Sequence, residues 1–463
     1  MRSDVIAAVA TPPGKGGVAI IRISGSGSLE LADRIFRPIS GRPLSFYPTR
    51  TAVYGYVINS KSEKVDDCLI TLFNDGSSYT GEETAEISCH GGVLITRAVL
   101  RTVFEAGATP AEAGEFTRRA FLNGKLTLID AEAIGNLLDA GTEAQLALAS
   151  DGQRRLLNSH VDAIRKELTR LLGSLYARID YPEEDLGELS SEQILSTLNA
   201  IRGRIQKLSS TYSTGRAISE GITVSLVGRP NAGKSSLYNL ILGEDRAIVT
   251  DLAGTTRDVL EAKTSIGKVA VRLFDTAGIR PLADADTVEQ IGISRAEQRL
   301  RQSDLIIALF DGSSPRSKED DLLISALGEA RGVKLCLINK SDLPRCFDSS
   351  TLPDVFCRTA EVSVTDEPHR VLELIQSEVE ERFIDGEISM DTDPIVSSLR
   401  QQAELTRAGE LIDSAILAIN EGMPPDCASS DIELALGAIG QIDGRAVSEA
   451  VVEDIFSRFC VGK

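Results

Sequence analysis

The chain has 463 residues, a formal net charge of −19, 42% hydrophobic residues and 25% charged residues, the make-up of a multi-domain globular protein with apolar material for several cores. That acidic balance argues against broad nonspecific nucleic-acid binding, which is driven by counterion release from phosphates, while leaving room for a local basic patch. No apolar stretch reaches the length of a membrane span, Met1-Arg2-Ser3-Asp4 opens no signal-peptide pattern, and the 7 cysteines contain no C-x-x-C pair, so a protein with reduced thiols in the cytoplasm is expected.

Short apolar runs punctuated by Gly and Pro, at 6–10, 17–23, 51–58, 67–73 and 84–88, predict a β-rich α+β domain over residues 1–122, with a helix over 92–106. From 129 to 179 apolar residues recur at helical spacing with almost no breaker, which predicts long helices stopped by Tyr181-Pro182. Ser190-Ser191-Glu192-Gln193 is a capping box that opens a further helix through 208. Helical periodicity returns at 395–420 and 431–460, beyond a segment, 217–384, whose motifs are those of a nucleotide-binding domain. Each helical flank alone is small for a core, so 123–216 and 385–463 are expected to form one helical domain interrupted by that insertion. The fold class is multi-domain α/β plus α: a β-rich N-terminal domain, a discontinuous helical bundle and an inserted Ras-like P-loop G domain.

Gly228-Arg229-Pro230-Asn231-Ala232-Gly233-Lys234-Ser235-Ser236 matches G-x-x-x-x-G-K-[ST] and follows the apolar run 222–227, which reads as a buried strand. The two glycines let backbone N–H groups turn inward around phosphate oxygens, Lys234 supplies charge, the Ser235 hydroxyl can ligate Mg²⁺, and a helix starting near Ser235 adds its positive end. Thr255-Thr256-Arg257-Asp258, Asp275-Thr276-Ala277-Gly278 after the strand 269–274, and Asn339-Lys340-Ser341-Asp342 after the strand 334–338 follow in the order of a GTPase. Thr256 is placed to ligate Mg²⁺ when the γ-phosphate is present, Asp275 to hold that ion through water, and the Gly278 N–H to bind the γ-phosphate. Asp342 accepts both N–H groups of the guanine edge, which rejects adenine because the carboxylate would be left unpaired. Ser363 stands where a G domain has its last base-contacting loop.

Ile279 follows Gly278, and an apolar side chain cannot orient the attacking water as the glutamine of Ras-type GTPases does. Asp284, Asp286 and Glu289 are the acidic groups downstream that could, around the start of a helix expected from about Val288. No arginine finger is evident, and the amide oxygen of Asn231 inside the phosphate loop suits a monovalent cation, so K⁺ is expected to supply the missing charge. At the other end, Ile455 to Cys460 carries apolar residues one turn apart almost to the last residue, which would dock the tail and fix Cys460 and Lys463 in place.

Taken together, Ala10 to Gly17 with Arg22-Ile23-Ser24, Tyr79-Thr80-Gly81-Glu82, His90-Gly91-Gly92, Gly114-Glu115-Phe116-Thr117, Ala120 to Lys125, the phosphate loop, Ala253 to Asp258 and the terminal Cys-Val-Gly-Lys resemble the MnmE (TrmE) family of tRNA wobble-uridine modification GTPases over the whole chain. The resemblance implies an N-terminal tetrahydrofolate-binding and dimerisation domain (1–122), the discontinuous helical domain, and a G domain whose pairing K⁺ promotes. It implies a homodimer that works with the flavoprotein MnmG (GidA), as a heterotetramer, to place a carboxymethylaminomethyl or aminomethyl group at C5 of the wobble uridine of certain tRNAs. By motif position, Arg22, Glu82, Lys125 and Lys463 would contact 5-formyltetrahydrofolate. Asn231, Thr250, Leu252 and Thr255 would hold K⁺, and Ser235 and Thr256 Mg²⁺. GTP would lie against residues 231–236, the loop Thr250, Asp251, Leu252, Ala253, Gly254, Thr255 and Thr256, then Asp275, Thr276, Ala277, Gly278, Asn339, Lys340, Asp342 and Ser363. Lys234, Glu289 and Cys460 are the implied catalytic residues. Lys15, Val461 and Val364 depart from the family's commoner Arg, Ile and Ala.

A different function on the same G domain, a ribosome-assembly or signalling switch without modification chemistry, shares every nucleotide motif. Folate binding by the N-terminal part separates the two.

Overall fold

The computed structural model describes residues 4–74, 76–180, 190–246, 261–275 and 300–462, which divide into two compact units: Met1–Gly135 with Ile432–Lys463, and Asn136–Asp431.

Among the described residues, the first unit holds β1 (Ile6–Val9), β2 (Val18–Ser24), α1 (Ser28–Ile35), β3 (Phe36–Pro38), β4 (Ala52–Ile58), β5 (Lys64–Phe73), β6 (Thr84–His90), α2 (Val93–Glu105), β7 (Thr109–Pro110) and α3 (Glu115–Leu122). The strands form one sheet in the order β3-β4-β5-β6-β2-β1-β7, antiparallel except for β1 with β7. Away from β1, whose Ile6 and Ala8 meet Phe116 of α3 on the second face, the strands alternate between a buried and a more open face. Along β5, Cys68, Ile70 and Leu72 are buried while Leu69 is exposed. The inward residues meet Leu31 and Ile35 of α1 and Val99 and Val103 of α2 in a single core. Sequence reading found β1, β2, β4 to β6 and α2 but not α1, β3, β7 or α3, which are short and lie between stronger signals. α3 is nonetheless the helix that carries polar residues into the site described below.

The long helices expected over 129–179 are α4 (Leu128–Asp139), α5 (Glu143–Leu148) and α6 (Asp151–Asp180), of which only α6 is long. The first break falls where the Thr142 side chain accepts from Gln145 N and caps α5. α6 buries Leu157, Val161, Ile164, Leu168 and Leu175 on one stripe. Its stop at Tyr181-Pro182 lies outside the described residues. The capping box at Ser190 and Gln193 is present and opens α7 (Ser191–Ser210), followed by α8 (Tyr212–Ser219).

The second sheet contains β8 (Ile222–Val227), β9 (Glu261–Ile266), β10 (Val269–Asp275), β11 (Leu305–Asp311), β12 (Val333–Asn339) and β13 (Arg358–Glu361) in the order β13-β12-β11-β8-β10-β9, parallel except for β9. α9 (Lys234–Arg246), α10 (Lys318–Glu329) and α11 (Pro368–Phe383) accompany it. Every residue of β11 is buried, the mark of a parallel strand covered on both faces, and separate clusters fill the two sides. The strand order reverses about β8, so the crevice at the carboxyl ends of β8 and β11 is the topological switch point where ligands of such sheets bind.

α12 (Leu399–Asn420) packs on α7, with Arg202 and Asp413 paired at 2.5 Å, so helical segments from both flanks of the second sheet meet. Helix starts at Leu399 rather than 395 because Ile395 and Val396 run buried past α6 and α8. Ile395 N donates to Gln153 Oε1 and Val396 N to Thr211 Oγ1. The last helical stretch divides into α13 (Ser429–Asp443) and α14 (Glu449–Ser457) at Gly444, whose φ of +93° and contact with Phe121 and Leu128 leave no space for a side chain. From Ile432 onward the chain groups with the first unit, not with α7 and α12, because Val452 and Phe456 bury against Leu128 and Ala131.

Candidate functional site

Parallel hydrogen-bonded pairing of β8 with β10 and β11 delivers the phosphate loop to the switch point, and two glycines make its turn possible. Gly228 has φ +156° and a Cβ there would lie 2.4 Å from Leu309 O; Gly233 has φ +105° and a Cβ would lie 2.2 Å from Asn339 Nδ2. Asn231 sits at the exposed crest with φ +63°. Lys234 begins α9 and its ammonium donates to Gly228 O at 2.7 Å and Arg229 O at 2.8 Å, so the charge sits over the loop it serves. Ser235 and Ser236 follow, exposed, in the first turn of α9, and Ala232 is buried beneath.

β12 places Asn339 as a bolt between loops. Buried, it donates through Nδ2 to Ala232 O at 2.9 Å and accepts from Val364 N at 3.0 Å, tying the phosphate loop to both guanine loops. The Ser363 hydroxyl donates to Asp342 Oδ1 at 2.7 Å, which orients that carboxylate. Val364, the bulkier residue in place of Ala, is absorbed in the core. Sequence reading missed Asp311 and Arg229. Asp311 ends β11 and pairs with Lys340 Nζ at 2.8 Å and Arg229 Nη2 at 3.3 Å, so one carboxylate holds a cation from each loop. Burial pushes its pKa up, but hydrogen bonds from Lys340 and Ser313 outweigh that and bring it to about 2. The signal was present as an acid closing an apolar strand, as in Asp275-Thr276.

The backbone of Asp275 pairs with Leu226 at the end of β10. Thr250, Asp251, Leu252, Ala253, Gly254, Thr255, Thr256, Thr276, Ala277, Gly278, Glu289 and the expected helix from Val288 lie outside the described residues, as does Lys463.

The first unit contains a second polar cluster, about the loop from Ser78 to Glu83. β2 carries Arg22, whose Nε pairs with Glu86 at 2.8 Å while its guanidinium lies 5.3 Å from the Tyr79 ring centroid and 5.5 Å from that of Phe116. Two residues on, Ser24 donates to Glu82 Oε2 at 2.9 Å. Glu82 is also met at 3.2 Å by Arg119 of α3, which reaches Glu115 at 2.9 Å with its other nitrogen. Asn123 Nδ2 donates to Thr80 O at 2.8 Å and Lys125 Nζ to Gly76 O at 2.9 Å. The fold thus gathers Arg22, Glu82 and Lys125, far apart in sequence, about one loop. Arg119 was passed over between two recognisable segments of its motif.

The tail is docked on the same unit. Val461 bridges Ala113, Gly114 N donates to Cys460 O at 3.4 Å, and Gly462, at φ +101°, lies so close to β1 that a Cβ would sit 2.2 Å from Val9 O. Phe456 is buried and packs against Phe459 with ring centroids 5.6 Å apart and tilted by 43°, whereas Cys460 is exposed, so it is not the small core hydrophobe that a cysteine on an apolar stripe suggests.

The donor sets suit the implied groups. The cluster of Arg22, Arg119 and Lys125 with Glu82, Glu86 and Glu115 offers both kinds of group a folate would need, cations for its dianionic glutamate and a carboxylate for its pterin N–H donors. An exposed hydroxyl at the first turn of α9 matches Mg²⁺ beside a triphosphate.

Comparison with known proteins adds sequence kinship. Residues 5–125 match the family model described as the GTP-binding protein TrmE N-terminus, and residues 128–460 that of the MnmE helical domain. The protein named tRNA modification GTPase MnmE of Symbiobacterium thermophilum is 38% identical, with 100% of both chains covered, and that of Alkaliphilus oremlandii is 38% identical over 99% of both. The protein of the same name from Lacticaseibacillus paracasei is 36% identical over 99% of this chain and 98% of its own.

Proposed function

This chain belongs to the MnmE family of tRNA modification GTPases, and from that premise we propose that its GTPase cycle drives modification at C5 of the wobble uridine of tRNA, with a one-carbon unit drawn from a tetrahydrofolate. The observation that carries the reading is the gathering of Arg22, Glu82 and Lys125 about one loop in the unit that also docks the tail. A ribosome-assembly switch has no use for that cluster.

In the G domain, Asp342, held by Ser363, accepts from the guanine edge, and Asn339 keeps that loop in register with the phosphate loop. Lys234 neutralises the β- and γ-phosphates, Ser235 and Thr256 hold Mg²⁺, and Glu289 orients the attacking water. Asn231, Thr250, Leu252 (through its carbonyl) and Thr255 hold K⁺, whose charge stands in for an arginine finger. Removal of K⁺ in favour of Na⁺ is the direct check on that assignment: equal hydrolysis rates in the two would sink it.

In the N-terminal unit, Arg22 and Lys125 face the anionic end of the folate, Glu82 its pterin N–H groups, and Lys463 completes the site from the docked tail. The bound tetrahydrofolate supplies the one-carbon unit. Cys460, exposed in the docked tail, is the thiol assigned to the modification chemistry. The protein acts as a cytoplasmic homodimer with the flavoprotein MnmG; among the described residues, no helix is long and apolar enough to cross a membrane.

Mass spectrometry of wobble-uridine nucleosides from cells lacking the gene, and from cells rescued with it, tests the whole. Loss of the C5 substituent with return on rescue is expected, and unchanged nucleosides would leave only the GTPase.

A further inference from the structure

In a chain with net charge −19, residues 34–62 contain no Asp or Glu but include Arg34, Arg37, Arg42, Arg50 and Lys61. The fold sets the arginines along one border of the first sheet. Arg34 lies in the last turn of α1, Arg37 on the edge strand β3, and Arg42 and Arg50 in the loop that returns from β3 to β4. All are exposed. Elsewhere in the unit Arg22, Arg118 and Arg119 each pair with a carboxylate, but among the described residues Arg34, Arg37, Arg42 and Arg50 form no ion pair. Arg37 instead rests on the carbonyls of Asp33 and Phe36 at 2.8 and 2.9 Å.

The same loop exposes an aromatic side chain. Phe46 is 58% exposed, with the Arg42 guanidinium 4.2 Å from its ring centroid and Tyr47 edge-on at 5.7 Å. Arg50 holds φ +61°, a conformation uncommon outside glycine, and its N–H donates to Leu72 O at 2.6 Å, which anchors the end of the loop to the sheet. A row of uncompensated guanidinium groups beside an exposed aromatic and guanidinium stack suits a polyanion that also presents flat bases.

We propose that this border, from Arg37 through Arg42 and Phe46 to Arg50, is a tRNA contact surface, the arginines on phosphates and Phe46 against an unpaired base. The assignment rests on the reading that the chain acts on tRNA, and locates that contact. It also reconciles an acidic protein with an RNA substrate. The bulk charge repels RNA in general, and one border on which four arginines stand against a single carboxylate, that of Asp33 held by Leu44 N, admits it in one orientation.

The test is the salt dependence of binding, by fluorescence anisotropy, of an unmodified tRNA transcript with uridine at the wobble position to the full-length protein between 50 and 200 mM salt. For the Arg37→Gln, Arg42→Gln, Arg50→Gln triple variant, the slope of log affinity against log salt should flatten by about 2 to 3, near 0.7 to 0.9 per lost phosphate contact. The corresponding Arg→Lys triple variant should keep the slope, and GTP hydrolysis without RNA should be unchanged in both. Phe46→Ala should weaken binding about 5-fold or more with the slope intact, as loss of one stacked base predicts. An unchanged slope in the Gln variant overturns the assignment. So does a variant that keeps tRNA affinity and loses binding to the flavoprotein, since the border would then be a protein interface. If the wild-type protein binds no tRNA across this salt range, the underlying tRNA reading falls with it.

Discussion

The two sheets present their chemistry in opposite ways. The G-domain sheet is parallel and buried on both faces, so its functional groups emerge only at strand ends, in loops that directly follow apolar runs: Gly228 to Ser236 after β8 and Asn339 to Asp342 after β12. The N-terminal sheet is antiparallel except for β1 with β7, with α1 and α2 on one face and α3 against β1 on the other, and its site draws on β2, the loop before β6 and α3. A parallel sheet therefore writes its site as short contiguous motifs, while an antiparallel one disperses it among segments that only pairing brings together.

That contrast can be broken at either site. The largest effect is expected for Lys234→Ala, which removes the cation over the phosphate loop and should lower kcat for GTP hydrolysis by about 100-fold or more while leaving binding of 5-formyltetrahydrofolate unchanged. Parallel rate and calorimetric measurements on the variant decide it; a loss of folate binding would mean the two sites are not separable. Phe456→Ala should cost about 3 to 5 kcal/mol of local stability, because a fully buried ring that packs on Phe121 and Phe459 is lost. Faster hydrogen exchange in residues 449–462, with the G-domain strands unaffected, is the expected readout. Equal exchange there would show that the tail is held by something other than its aromatic residues.

Arg119→Met should weaken folate binding about 10-fold, since Glu82 loses the group that fixes it. If the effect runs through Glu82, it disappears in an Glu82→Gln background, a double-mutant cycle that a merely structural role would leave additive. The smallest effect concerns Asp311. Its folded pKa of about 2 lies below the usual 3.8, so its contribution to stability is fully present above about pH 4 and is lost as pH falls through 2. The gap in thermal midpoint between wild type and Asp311→Asn should therefore narrow across that interval, and a gap that is constant with pH would contradict the ion-pair account.

The nucleotide motifs, their order and the strands that carry them were legible because each is local: a glycine turn, a lysine and a hydroxyl within nine residues after an apolar run. The N-terminal cluster was legible only through resemblance, since Arg22, Glu82 and Lys125 taken singly read as surface charges. Arg119 and Asp311 were legible by neither route, because an arginine on a short helix and an acid at a strand end acquire meaning only from the carboxylates and cations they meet.

By itself the sequence determined what periodicity and composition can encode: helices where apolar residues recur every three or four, strands and loops in GTPase order, and an acidic chain with one acid-free segment. The tertiary structure decided the breaks within the long helical runs, the assignment of residues 432–463 to the first unit, and the partners of every buried charge. Those outcomes depend on contacts between residues distant in the chain, whose energies come from burial and ion pairing across elements and so leave no local trace in the order of residues.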